Sequence, residues 1–105
     1  MITATFHYEG QTCVSYEISG HAYAGEPGHD LVCAGVSAAV FGLTNAIIGI
    51  SKTEPEIEMT DAGYIHVSQI ASDESLQTLV FGLVTSLETI METNSEHLKL
   101  IKNQK

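Results

Sequence analysis

Two side chains able to do covalent chemistry near neutral pH bracket one glycine-rich stretch. His21 opens it and Cys33 follows it, twelve residues later, within GHAYAGEPGHDLVCAGVS at positions 20–37. A thiolate attacks carbonyl carbon readily, and an imidazole can take the thiol proton and return it to a leaving group, so the pair suits nucleophilic catalysis. Asp30 is an N-cap residue type. If it caps, Leu31, Val32 and Cys33 take the first three helical positions, and the Asp30 carboxylate accepts from the Cys33 N–H. A thiol in a helix's first turn sits among unpaired N–H groups at the positive end of the dipole. There its pKa falls from about 8.5 to below neutral, the more so beside a histidine. Asp30 is equally suited to orienting His21. The N–H groups near Cys33 and Ala34 are then the expected holders of an oxyanion.

Plainer readings stand beside this one. Cysteine is usually a buried small hydrophobe, and a loop histidine usually has no chemical role. Ser37, one helical turn after Cys33 and on its face, is of a type that commonly bonds its own backbone. His21, His29 and Cys33 also make a rival set of three metal ligands, with no fourth in view. Cys13 falls on the expected outward face of a strand, and His7, His66 and His97 stand singly on their elements.

The elements that must position these groups follow from periodicity. Residues 2–8 alternate, with Ile2, Ala4, Phe6 and Tyr8 on one face, and residues 12–19 alternate again, with Val14, Tyr16 and Ile18 inward. The turn 9–11 joins them as a hairpin. Gly20, Gly25, Gly28 and Pro27 exclude a regular element from 20–30, and a loop of that length is usually functional or mobile. From Leu31 to Ile50 the chain carries no charge. Small residues (Gly35, Ala38, Ala39, Gly42, Ala46, Gly49) and large ones (Val36, Val40, Leu43, Ile47, Ile50) form adjacent helical stripes. This reads as a helix buried on most sides, its small stripe meeting the sheet or a second subunit. A second hairpin spans 56–60 and 64–70. Ser72 or Asp73 then caps a second helix, whose apolar positions run from Leu76 to Met91 at spacings of three and four. Gln77, Thr85, Glu88 and Glu92 make its wet face. Leu98 and Leu100 alternate with Lys99 and suggest a short added strand. The order ββαββα predicts an α+β two-layer sandwich: an antiparallel sheet from two hairpins, covered by two helices, in a single domain over 1–105.

Composition narrows the function. At 44% hydrophobic and 16% charged, the 105-residue chain has the makings of a core and is unlike a disordered one. It has no arginine, thirteen acids against four lysines and a net charge of −9, so nucleic acid is not the expected ligand and a basic partner is. Lys99, Lys102 and Lys105 lie at the end, leaving Lys52 as the one lysine of the body. The amino terminus lacks the pattern of a signal peptide, and two cysteines make no disulfide framework, so a cytoplasmic setting is expected. Residues 31–50 are long enough to cross a bilayer, but Ser37, Thr44, Asn45 and the glycines favour a buried helix over a membrane span.

Gly20-His21, followed by Gly28-His29-Asp30-Leu31-Val32-Cys33-Ala34-Gly35-Val36-Ser37, resembles the signature of the Prp family of ribosomal-processing cysteine proteases. That signature is G-H, a short variable loop, then G-x-D-[IL]-V-C-A-[AG]-x-S. Phe41-Gly42 and the run Asn45 to Gly49 continue the likeness, which extends over the whole chain in length and element order. The resemblance implies a homodimeric ββαββα cysteine endopeptidase without a cofactor. It would remove the N-terminal extension of a large-subunit ribosomal protein, L-twenty-seven, after an aromatic-rich apolar stretch. It implies Cys33 as nucleophile and His21 as base, Asp30 and Ser37 as supporting residues, and a mobile loop containing Gly20, Gly25 and Gly28 that closes over the peptide. Two rivals are a non-catalytic dimeric module that binds a basic ribosomal protein, and the metal site at His21, His29 and Cys33.

Overall fold

The computed structural model describes residues 1–20, 29–60 and 64–105, with His29 and Asp30 described through their helical backbone. The elements are β1 (Ile2–Glu9), β2 (Thr12–Ser19), α1 (His29–Ile50), β3 (Glu56–Thr60), β4 (Tyr64–Ser68), α2 (Glu74–Thr93) and β5 (Leu98–Gln104). The five strands form one sheet in the order β3-β4-β2-β1-β5. Both expected hairpins are antiparallel and β4 pairs with β2, while β5 joins β1 in parallel, Ile2 opposite Leu98 through Tyr8 opposite Gln104. A parallel neighbour needs a crossover, and α2 supplies it, carrying the chain from β4 past two strands to the far edge. The α+β sandwich therefore gains a fifth strand and its sheet is mixed.

Packing follows the apolar stripes. Leu76, Val80, Leu83, Val84 and Leu87 of α2 and Val32, Val36, Val40 and Ile47 of α1 are buried with Ile2, Ala4, Phe6, Tyr16 and Ile18 of the sheet. The Phe6 and Tyr16 rings lie 5.4 Å apart, tilted by 35°. Tyr16 Oη and Thr44 Oγ1 are 2.6 Å apart, so each buried hydroxyl satisfies the other and ties β2 to the middle of α1.

Four readings of the sequence are corrected. First, Cys13 faces the core and is fully buried, while Val14 is only partly so. The β1–β2 register passes from His7 opposite Ser15 to Tyr8 opposite Cys13, which leaves Val14 as an extra residue in β2. That bulge shifts the alternation by one place. Second, Gln77 is not a wet residue. Its amide accepts from the Cys13 N–H at 2.8 Å and donates to the carbonyls of Cys13 and Ala71, both at 3.0 Å. It ties α2 to β2 at the bulge. Third, α1 is buried along one face only. Leu31 is 78% exposed and Phe41 45%, and a Cβ added at Gly42 or Gly49 would meet open space. Of the small-residue stripe, Ala38, Gly42 and Gly49 are thus exposed, whereas Gly35 lies against Ile90 of α2 and Ala39 packs on the core. Leu31–Ile50 is long and apolar enough to cross a membrane, with a mean hydropathy of 2.0, but its valine and isoleucine stripe is committed to the core. Fourth, α1 opens at His29, so Asp30 is inside its first turn rather than capping it. A carboxylate is favoured at the positive end of a helix in either place.

Candidate active site

Cys33 is the fifth residue of α1 and is half-buried. Side chains on a helix lean toward its N-terminus, so the Cys33 side chain lies over the opening turn. With the helix starting at His29, the N–H of Cys33 and that of Ala34 belong to the i→i−4 ladder, with the carbonyls of His29 and Asp30 as partners. They are not free to hold an oxyanion, as the sequence suggested. The N–H groups that an α-helix leaves without intrahelical partners are those of its first turn, here at 29–31.

Cys33 stands in the wall of a cleft of about 150 Å³ between α1 and the sheet. Ile2, Ile18, Val36, Val40 and Ile65 make its lining apolar, and Phe41, Met59 and Tyr64 are further apolar or aromatic walls. Ser37 and Thr60 are the hydroxyls in it. Tyr64 contributes its ring, while its hydroxyl donates to Glu17 Oε2 at 3.4 Å. Partial burial, and then the neighbouring Glu17 carboxylate, raise the Tyr64 pKa and keep that hydroxyl protonated. Such a cleft excludes water from one side of the sulfur and suits an apolar peptide segment.

Gly20 lines the same cleft. Its φ is +93°, which L side chains rarely adopt, and a Cβ built there would fall within the Met1 carbonyl oxygen. Only glycine fits, because β1 begins against this point with the Ile2 N–H donating to the His97 carbonyl at 2.9 Å. The chain therefore leaves β2 for His21 from the wall that Cys33 shares.

His21, Gly25 and Gly28 lie outside the described residues, as do the side chains of His29 and Asp30. Cys33, Ser37 and Gly20 are the expected site residues brought together. Among the described residues, no group of three His, Cys, Asp or Glu side chains gathers as metal ligands. The two cysteines differ in setting. Both are free thiols, but burial pushes the Cys13 thiol up to about 11, and its Sγ donates to the Ser15 carbonyl at 3.3 Å. It is an inert core residue at the bulge, whereas Cys33 has access to the cleft. Met59, Thr60 and Tyr64 were missed as site residues. They lie far from the motif in sequence, and only the sheet order carries them to it.

Comparison with known proteins shows the family of the chain. The family model for cysteine protease Prp matches residues 1–99. A ribosomal processing cysteine protease Prp of Bacillus subtilis (strain 168) is 38% identical over 112 aligned positions, covering 98% of each chain. Its counterpart in Staphylococcus aureus (strain NCTC 8325 / PS 47) is 40% identical over 85 residues, covering 79% of this chain and 80% of that one. The crystal structure of the essential ribosomal processing protease Prp from S. aureus, in complex with a covalently linked product peptide, superposes with a TM-score of 0.88. It is 35% identical, and the match covers 98% of this chain and 100% of that one. A chain matched over nearly its whole length by the family model, by full-length relatives and by a solved fold belongs to the Prp family of cysteine proteases.

Proposed function

We propose that this protease removes the N-terminal extension of a basic large-subunit ribosomal protein, L-twenty-seven, in the cytoplasm, with Cys33 as nucleophile and His21 as general base. The observation that carries the reading is the placement of Cys33. It stands at the start of a helix, half-buried, in the wall of an apolar cleft whose edge includes the residue before His21. The ribosomal-processing role of the relatives and the covalent product peptide on the S. aureus protein support it.

In this mechanism His21 takes the Cys33 proton, and the thiolate adds to the scissile carbonyl carbon. The carbon–sulfur bond forms as the carbonyl becomes an oxyanion, held by the first-turn N–H groups at 29–31. Collapse breaks the carbon–nitrogen bond, and the imidazolium gives its proton to the leaving amine. Water, deprotonated by the same imidazole, then cleaves the thioester, releasing the extension as a carboxylate and restoring the thiol. Asp30 orients the opening turn or His21, and Ser37 supports the acyl group from one turn further along. The enzyme works as a homodimer through the exposed part of the small-residue stripe of α1, where Ala38, Gly42 and Gly49 let a second backbone approach closely.

The test is mass spectrometry of the extended ribosomal protein after incubation with the enzyme and with its Cys33→Ala form. A single cut that ends the extension, absent with the variant, is the expected result. Cleavage by Cys33→Ala would overturn the mechanism. No cleavage by either form would overturn the substrate assignment.

A further inference from the structure

The strand order leaves β3 at an edge of the sheet. One side of its backbone pairs with β4 and, among the described residues, the other meets no strand. Edge strands expose a ladder of donors and acceptors, and native chains usually shorten, charge or cover them. Glu56, Glu58, Met59 and Thr60 of β3 are exposed, Met59 by 60%, and Ile57 is partly buried. Met59 and Thr60 also stand in the wall of the cleft that holds Cys33. Among the described residues, a line of backbone groups without strand partners therefore runs directly out of this cleft.

The chemistry changes along that line. The cleft is apolar, but on leaving it the strand passes Glu58 and Glu56 and then Glu54, all exposed. Glu56 is four residues from Thr60, a distance of about 13 Å at roughly 3.3 Å per strand residue. Glu58 lies opposite His66, which lies opposite Glu17, so the neighbouring strands add another carboxylate. The far edge, β5, has the opposite sign, with Lys99 and Lys102, the latter paired with Glu88 at 3.2 Å. Carboxylates on β3 repel the same edge of a second copy and attract a basic extended chain.

Resting on the protease reading above, we propose that the free edge of β3 is a substrate-docking strand. The segment beyond the scissile bond adds to it as a sixth strand, and the basic residues of that segment meet Glu54, Glu56 and Glu58. The apolar segment before the bond fills the cleft. The backbone ladder provides affinity without regard to sequence, and the carboxylates select lysine or arginine about three to five residues past the cut.

Two measurements on the intact enzyme test this. The first uses a synthetic peptide with an apolar aromatic stretch, the scissile bond and three lysines beyond it, and a counterpart with glutamines for the lysines. The wild-type enzyme should show the lower KM for the lysine peptide. In Glu56→Lys/Glu58→Lys that preference should fall by about tenfold, carried by KM rather than kcat, as for two exposed charge pairs reversed in sign. Glu92→Lys/Glu96→Lys, which changes the net charge equally in the last turn of α2 and just beyond it, should keep the preference. Equal loss in both variants would mean a general field and overturn the strand. The second measurement places single N-methyl groups along the lysine segment. Strand addition requires every second position to raise KM roughly tenfold, the cost of one hydrogen bond, with the positions between tolerant. Uniform tolerance would overturn the docking strand and leave the protease standing. No cleavage of either peptide by the wild-type enzyme would overturn both.

Discussion

Replacing Gly20 by alanine tests whether the residue before His21 is held by the end of the chain. Two costs are separable. The first is conformational: φ at Gly20 is +93°, and an L residue held in a sparsely populated region costs about 1–2 kcal/mol. The second is steric, because the new Cβ would overlap the Met1 carbonyl oxygen, which is backbone and cannot swing aside. Relief requires the N-terminus to move from the Ile2–His97 hydrogen bond, worth about 1 kcal/mol, or the loop entry to move from the cleft wall. The sum is about 2–4 kcal/mol, a fall in Tm of roughly 8–16 °C for a domain of this size. Gly10 supplies the internal control. It has φ +62° in the β1–β2 turn, and a Cβ there meets nothing. Gly10→Ala should therefore show the conformational cost alone and keep full activity. Gly20→Ala should also lose kcat by about tenfold to a hundredfold, since it displaces the residue joined to His21. Urea denaturation and peptide cleavage of both variants decide the matter. If Gly20→Ala is no less stable than Gly10→Ala and equally active, the reasoning is wrong.

Other predictions concern the core and its thiol. Gln77→Ala leaves the Cys13 N–H and two carbonyls without partners, and should cost about 2–3 kcal/mol by urea denaturation, well above an ordinary surface change. A loss under about 0.5 kcal/mol would show that water replaces the amide. Tyr16→Phe and Thr44→Val should each cost about 1–2 kcal/mol and the double variant little more than either, a coupling that a double-mutant cycle measures. Additive losses would deny that the two hydroxyls satisfy each other. Because burial raises the Cys13 thiol from 9.0 to about 11, the folded chain keeps a proton that the unfolded chain has lost. Its contribution is complete below about pH 9 and disappears as pH rises through about 11, up to roughly 3 kcal/mol, and Cys13→Ala should lack this alkaline step. In native protein at neutral pH, iodoacetamide should label Cys33 and spare Cys13, with both labelled in denaturant. Equal rates would refute the burial of Cys13.

Much of this protein is determined by its local sequence. Alternation over 2–8 and the three-and-four spacing from Leu76 to Met91 specify a strand and a helix, because each buries one face against water. The Gly-His and Asp-Leu-Val-Cys motifs mark the place of the proposed nucleophile, since a glycine-rich segment running into an apolar helix has few local alternatives. The tertiary structure decided what depends on non-neighbours. The bulge that turns Cys13 inward is a property of the β1–β2 register, and no residue at 13–15 announces it. Gln77 looks like a surface residue until its helix lies against that bulge. Ala38, Gly42 and Gly49 of α1 stay exposed because the sheet can accept only one face of the helix, and the branched stripe buries more apolar area. Met59, Thr60 and Tyr64 reach the cleft through strand order, which brings β3 and β4 beside β2 although α1 separates them in sequence. Periodicity chooses the face an element buries. Pairing across the sheet chooses which elements share a site, and no local pattern encodes that.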